Sequence, residues 1–271
     1  MAISTIGAYV DALGLQTHYA QKGTGPAVVL LHGQSPGACV SVVWGLTLDP
    51  MAAAGYAMYA FEGPGFGRTD NPQDFTMATR IAHARAFIDA MGLERFSLWG
   101  HSDGSYIAAS IALQDERVER LVLMASGALS PRSSDESPEH NRREAELRMS
   151  YTPSLENARA TLVHSLVDQS TLDDELVQAF YEASSGKNHE AFRRRYSDRN
   201  TPPIYEELHR LKVPTLLLWG ANDSGGPRRG LLLQEKIPGA ELHIFDRCGH
   251  WVQRDQRDRV NRIVSDFLRG E

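Results

Sequence analysis

Short, unbroken apolar runs, each stopped by a turn and separated by longer helix-favouring stretches, constrain this chain more than any other feature. Ala27-Val28-Val29-Leu30-Leu31 ends at His32-Gly33, and Tyr56 to Phe61 ends at Glu62-Gly63-Pro64-Gly65. Phe96-Ser97-Leu98-Trp99, Leu121 to Ala125, Thr215 to Trp219 and Glu241 to Phe245 repeat the pattern. Apolar runs that do not alternate with polar residues belong to strands covered on both faces, and such strands are mostly parallel. Between them, Trp44 to Ala54 is expected to be a helix ending at Gly55, where glycine tolerates the left-handed cap conformation. Thr76 to Met91 carries Met77, Ile81, Ala84, Phe87, Ile88 and Met91 at helical spacing and stops at Gly92. An Ala/Ile-rich helix follows from Ser105, and Arg257 to Arg269 closes the chain as an amphipathic helix. The expected fold is α/β, a mostly parallel central sheet with helices on both faces.

One interval breaks the alternation. From Pro131 to Leu211 no segment reads as a strand, and the residues are polar, rich in Arg and Glu, and helix-favouring. We read 131–211 as a helical cap inserted into a core made of 1–130 and 212–271. The 271 residues suit one large α/β domain with an insertion better than two independent domains. Ser133-Ser134-Asp135-Glu136-Ser137 is expected to be a mobile loop within the cap. No repeat or low-complexity tract interrupts the pattern.

Gly100-His101-Ser102-Asp103-Gly104 has the form GxSxG. Such a pentapeptide is a weak signal alone, but here it follows an apolar strand and opens a helix. In that context the two glycines permit a sharp turn that lifts the serine hydroxyl above the sheet. A serine nucleophile needs a base within reach, and in this arrangement an acid and then a histidine follow it along the chain. Trp219-Gly220-Ala221-Asn222-Asp223 offers the acid just beyond the fifth run, and Cys248-Gly249-His250-Trp251 the histidine just beyond the sixth. Asp246, four residues before His250, is the rival acid. The backbone N–H groups of Asp103 and Gln34 are the expected oxyanion donors. His32 is read as holding the Gln34 loop by hydrogen bonds rather than as a catalytic group.

Charge and composition exclude several alternatives. With 28 Lys+Arg against 34 Asp+Glu, the net charge of −6 argues against a nucleic-acid partner. The local run Arg193-Arg194-Arg195 is read as a solvated helix face. Arg148, His164 and Arg193 are within the cap and are expected to be exposed rather than substrate-bound. Two cysteines, Cys39 and Cys248, show no metal-ligand spacing and need no disulfide, so no metal is expected and a cytoplasmic setting fits. The N-terminus lacks the pattern of a secretory signal, and no apolar run approaches a membrane span. The Gly-rich segments match neither a phosphate-binding loop nor a dinucleotide fingerprint, so no cofactor is expected.

Together His32-Gly33, Gly63-Pro64-Gly65-Phe66-Gly67, Gly100 to Gly104, Asp223 and His250 resemble the α/β-hydrolase superfamily over nearly the whole chain. Within it the chain looks most like the meta-cleavage-product hydrolases, which cleave C–C bonds in aromatic degradation. Leu31 to Ala38, Met124-Ala125-Ser126-Gly127, Leu176-Val177 with Tyr181 to Ser184, and Cys248 to Gln253 carry that likeness. The resemblance implies a Ser102–His250–Asp223 triad, a small-molecule carbonyl substrate, a cap roofing the pocket, and Trp251 packed within it. It also implies that Val43, His101 and Phe180 face substrate. There the chain departs from the family, whose usual residues are Asn, Asn and Arg respectively; an aromatic at 180 suggests a less charged or differently oriented substrate. Dimers are common among such proteins, and a homodimer is compatible with the sequence. Ester or lactone hydrolysis uses the same triad; cofactor-free dioxygenation and ligand reception are further uses of this scaffold. A haloalkane dehalogenase is disfavoured, because its nucleophile is a carboxylate.

Overall fold

The computed structural model describes residues 7–132, 138–197 and 200–271, without the side chains of residues 140, 141, 144, 147 and 148. The expected mobile loop at Ser133–Ser137 and the Arg148 side chain therefore lie outside the described residues. Eight strands form one sheet: β1 (Ala8–Ala12), β2 (Leu15–Lys22), β3 (Ala27–Leu31), β4 (Ala57–Phe61), β5 (Phe96–His101), β6 (Val118–Met124), β7 (Thr215–Gly220) and β8 (Glu241–Phe245). Their spatial order is β1-β2-β4-β3-β5-β6-β7-β8. From β4 to β8 across the sheet all neighbours are parallel, while β2 runs antiparallel to both β1 and β4.

The six apolar runs are the six strands from β3 to β8, and each feeds both faces. Val28 and Leu30 point into one apolar layer and Val29 and Leu31 into the other. The first layer packs against α1 (Val40–Trp44), α2 (Leu48–Ala53) and α11 (Arg257–Arg269); the second packs against α3 (Met77–Ala90), α4 (Asp103–Ala112) and α9 (Arg228–Lys236). On α11 the buried Val260, Val264 and Phe267 recur at helical spacing, and burying each contributes about 1.5–3 kcal/mol. Gly270, at φ +82°, ends that helix.

Two expectations change. The helix expected over Trp44–Ala54 forms only over Leu48–Ala53, as α2, and a separate helix, α1, precedes it and ends at Trp44. Pro50 has no N–H and its ring would clash with the carbonyl four residues back, so it is tolerated only in the first turn of a new helix. The β1–β2 hairpin was not expected from the sequence. Its turn uses Leu13 and Gly14 at φ +57° and +74°, a pairing that suits the strand twist.

Among the described residues only helices join β6 to β7: α5 (Pro138–Met149), α6 (Leu155–Ser165), α7 (Asp174–Ala183) and α8 (Lys187–Ser197), with short 3-10 turns. The solvated-face reading of Arg193-Arg194-Arg195 holds for the first two residues and fails at Arg195, which is 2% exposed. Its guanidinium lies 3.6 Å from the centre of the Phe66 ring and donates to the Gly65 carbonyl at 2.5 Å, fastening α8 to the turn after β4. Both cysteines are buried free thiols, and no described helix is long and apolar enough to cross a membrane.

Candidate active site

The turn between β5 and α4 leaves almost no space. A Cβ on Gly104 would lie 2.0 Å from the Leu31 carbonyl oxygen, and one on Gly100 would lie 2.5 Å from the backbone of Gly104 and Ser105. These close approaches explain why both ends of the pentapeptide are glycine, and they force the residue between into an unusual conformation. Ser102 takes φ +56° and ψ −123°, a region that costs a non-glycine residue of order 1–3 kcal/mol. Its N–H donates to the Met124 carbonyl at 2.8 Å. The hydroxyl of Ser105 accepts from the Met124 N–H at 3.0 Å and lies 2.8 Å from the Gly100 carbonyl. α4 begins at Asp103, two residues earlier than expected, so the helix N-terminus starts immediately after the serine.

His250 stands in the loop after β8, and its Nδ1 donates to both oxygens of Asp223, at 3.1 and 3.2 Å. Burial pushes the Asp223 carboxyl up, but the charge and hydrogen bond of His250 outweigh this and hold it below the ordinary carboxylate range. The rival Asp246 is exposed. Two hydrogen bonds between Asn222 and Cys248 stitch the acid loop to the histidine loop: Asn222 N–H to the Cys248 carbonyl at 2.9 Å, and Cys248 N–H to the Asn222 side chain at 3.3 Å.

His101, buried just before the serine, donates from Nε2 to the backbone carbonyl of His250 at 2.9 Å. Its ring centre is 4.9 Å from that of His250. Burial, reinforced by the neighbouring His250, lowers its pKa to about 3, so it is a neutral prop for the histidine loop. His32 donates from Nδ1 to the Gly33 carbonyl at 2.8 Å, and its Nε2 accepts from the Gly63 N–H at 2.9 Å. That loop lies close against the serine, since a Cβ on Gly33 would be 2.8 Å from Ser102 Cβ.

Ser102, His250, Gln34, Asp103, Val43, His101 and Trp251 all line one cavity of about 920 Å³, its open mouth included. Asp223 stands behind His250 rather than on the wall. Phe180 is placed elsewhere. It is fully buried under Gly37, where a Cβ would come 2.4 Å from its ring, and the edge of Tyr151 covers it. It is not among the cavity's lining residues.

Sequence reasoning missed part of the wall. Tyr151, Thr161, His164 and Ser165 come to the cavity from the segment between β6 and β7, and Asn222 and Ser224 from the acid loop. His164 therefore corrects the expectation of a simply exposed side chain, whereas Arg193 is exposed. The Arg80 guanidinium was missed too. Buried on α3, it pairs with the Asp103 carboxylate at 3.1 Å and approaches the Gln34 side-chain oxygen at 3.4 Å, joining the two loops expected to supply oxyanion donors. No helical or strand periodicity marks a buried arginine of this kind.

A strained serine at a strand–helix turn, with a histidine and a buried aspartate on the two following loops, defines a class, and the chain belongs to the alpha/beta hydrolase family, whose model matches residues 28–263. It is 35% identical to a 2-hydroxy-6-oxononadienedioate/2-hydroxy-6-oxononatrienedioate hydrolase of Burkholderia vietnamiensis over 96% of this chain and 93% of that protein. A 2-hydroxy-6-oxo-6-phenylhexa-2,4-dienoate hydrolase of Comamonas testosteroni is 32% identical, over 93% of this chain and 91% of its own length. Among solved structures, the meta-cleavage product hydrolase of Pseudomonas fluorescens IP01, crystallised with acetates, superposes with a TM-score of 0.86 at 33% identity, covering 98% of both chains. The chain is thus a hydrolase whose similar relatives bear the names of ring-fission-product hydrolases.

Proposed function

We propose that the protein hydrolyses a C–C bond of a ring-fission-type diketone, with Ser102 as nucleophile, His250 as base and Asp223 orienting the imidazole. The observation that carries this reading is the two-oxygen grip of Asp223 on His250 Nδ1, in one site with the strained Ser102. That grip fixes the proton on Nδ1 and leaves Nε2 as the acceptor for the serine proton. Ser102 then attacks the carbonyl carbon. The N–H groups of Gln34 and Asp103 hold the oxyanion, and the C–C electron pair leaves onto carbon, where His250 delivers its proton. Water attacks the acyl-enzyme and releases the acid. A carbanion equivalent leaves only if the substrate supplies an electron sink conjugated with the bond that breaks. Residues 131–211 act in this scheme as a cap over the cavity, supported by the wall they supply through Tyr151, Thr161, His164 and Ser165. The substrate is a small carbonyl compound. We take the chain as a cytoplasmic protein without a nucleic-acid partner, for which a homodimer is one compatible state, decided by sedimentation.

One observation favours a second reading. Phe180, where the related hydrolases usually carry an arginine, is apolar and buried under Gly37, so it offers nothing to a substrate carboxylate. Hydrolysis of a neutral ester or lactone needs neither that carboxylate contact nor an electron sink. Purified protein and its Ser102→Ala variant, given a dienoate ring-fission product, an aryl ester and an aryl lactone, separate the two. Bleaching of the yellow dienoate that depends on Ser102 supports C–C hydrolysis. Turnover of only the ester or lactone moves the assignment to carboxylic-ester hydrolysis on the same scaffold.

A further inference from the structure

The histidine loop is held from behind by a short helix that none of the proposed chemistry uses. α10 (Val252–Asp255) begins one residue after Trp251 and carries two adjacent buried charges, Arg254 and Asp255. The Asp255 carboxylate accepts three backbone N–H groups. Gly249, next to His250, donates to Oδ2 at 2.6 Å. Asp168 donates to Oδ1 at 2.9 Å, and Val167 lies 3.1 Å from both oxygens. Val167 and Asp168 directly follow α6 and Leu166, and that helix supplies Thr161, His164 and Ser165 to the cavity wall. The two segments also touch directly, since a Cβ on Gly249 would lie 2.8 Å from the Ser165 carbonyl oxygen. Arg254 extends the grip, donating to the Thr171 carbonyl at 3.1 Å and to the Val42 carbonyl at 3.3 Å, beside the wall residue Val43.

We propose that Asp255 is a positioning residue that locks the His250 loop to the end of α6, so that the imidazole and that part of the cavity wall keep one fixed geometry. A carboxylate has two acceptor oxygens on a rigid fork, and here Oδ2 takes Gly249 together with Val167 while Oδ1 takes Val167 and Asp168, so one group holds donors of both segments. The Gly249–Ser165 contact brings the two segments together, and the carboxylate fixes their relation by hydrogen bonds to both. An amide in the same place keeps one oxygen: set at Oδ2 it turns its NH2 toward the Asp168 N–H, and set at Oδ1 it turns its NH2 toward the Gly249 N–H, so in either setting one donor faces another and the three-point grip is lost. The role rests on the proposal that His250 is the base, because only then does fixing its loop change a rate.

The test compares the full-length protein with Asp255→Asn and Asp255→Glu on p-nitrophenyl butyrate. Asp255→Asn is expected to lower kcat about 10- to 100-fold with KM changed by less than about threefold, the pattern of a misaligned base rather than lost binding. Asp255→Glu, which keeps both oxygens, restores kcat to within about fivefold of the parent. Hydrogen exchange on the unaltered protein gives a second arm that needs no variant. Phosphonylation of Ser102 by a small alkyl phosphonate that does not reach α6 should slow exchange of the Val167 and Asp168 amides together with Gly249. The proposal is overturned if Asp255→Asn lowers the thermal midpoint but leaves kcat unchanged, or if phosphonylation slows Gly249 alone. Intact mass reports the phosphonate separately. Its absence from Ser102 counts against the nucleophile, and the lock is then judged by whether Asp255→Asn speeds exchange at both segments together.

Discussion

Ser102 at φ +56° and Asp223 with both oxygens on His250 Nδ1 describe two different demands on single side chains. The serine must be aimed, and the histidine must hold its proton on the correct nitrogen. Asp223→Asn keeps the shape but offers an NH2 where a carboxylate oxygen stood, favouring the other tautomer. It should lower kcat about 10³- to 10⁴-fold with unchanged circular dichroism. A loss below tenfold on whichever of those substrates is turned over would mean that the imidazole is oriented by something else, and His101, whose ring centre is 4.9 Å away, is one such group. Arg80 poses a milder case. Arg80→Met keeps the stem and removes the charge that joins Asp103 to Gln34, leaving the Asp103 carboxylate buried without that guanidinium. Loss of a buried pair's partner costs about 3–5 kcal/mol, so a loss of unfolding free energy of that order is expected in urea denaturation, with reduced kcat if the donor loops shift. Ser102 and Asp223 were legible because each follows a strand whose end is marked with glycine, Gly100 and Gly220, and His250 because Gly249 stands directly before it in the loop after β8. Arg80 and Phe180 were not, since the direction of a helical side chain within a packed layer depends on neighbours far away in sequence.

At the scale of elements, β5 passes into α4 with the helix packed onto the β3 backbone at Gly104. Gly104→Ala places a methyl 2.0 Å from the Leu31 carbonyl oxygen, and only a shift of α4 away from the sheet relieves it. We expect a loss above about 3 kcal/mol, or no soluble protein. Gly92→Ala is the control. Nothing lies within 4 Å of the new methyl there, and only the left-handed φ of +63° is strained, at about 1–2 kcal/mol. Gly104 itself has no left-handed φ, so equal losses in chemical denaturation would show that α4 moves away from β3 at little cost and that their closeness does not dictate glycine in the turn. The same contrast explains which elements could be read in advance. β3 and β5 to β7 carry unbroken or nearly unbroken apolar runs (in β6 from Leu121 to Met124) because both their faces are covered, and that pattern survives without any knowledge of partners. β1 and β2 lie at the sheet edge, and their Thr17, His18, Gln21 and Lys22 give no such run. α10 has four residues, shorter than any periodicity can register, although it grips three segments around the site.

Across the whole molecule three buried histidines, His32, His83 and His101, act in one direction. Burial lowers His32 and His83 to about 4 and His101 to about 3, against an ordinary value near 6.5. His32 props the Gln34 loop, His83 on α3 bonds the Thr17 hydroxyl of β2 at 2.7 Å, and His101 holds the His250 loop, so the three are spread through the core. Each binds its proton more readily in the unfolded chain than in the folded one. Their contribution to stability is therefore complete above about pH 6.5 and is lost as the pH falls toward the folded values. At pH 5 each lost contribution amounts to about 2 kcal/mol, a large share of the 5–15 kcal/mol that holds a typical domain. Asp223, held low by His250, adds a loss of the same sign only in more acidic solution, and Asp255, raised by burial, opposes the trend as a single carboxyl against three imidazoles. The urea midpoint should hence fall steeply between pH 7.5 and pH 5, before any carboxylate in the triad is protonated. His83→Gln lies away from the cavity and removes one of the three titrations, so it should flatten the fall by about a third. A midpoint that stays level from pH 7.5 to pH 5 would mean that these imidazoles gain protons without leaving the fold, through openings that admit water to the core.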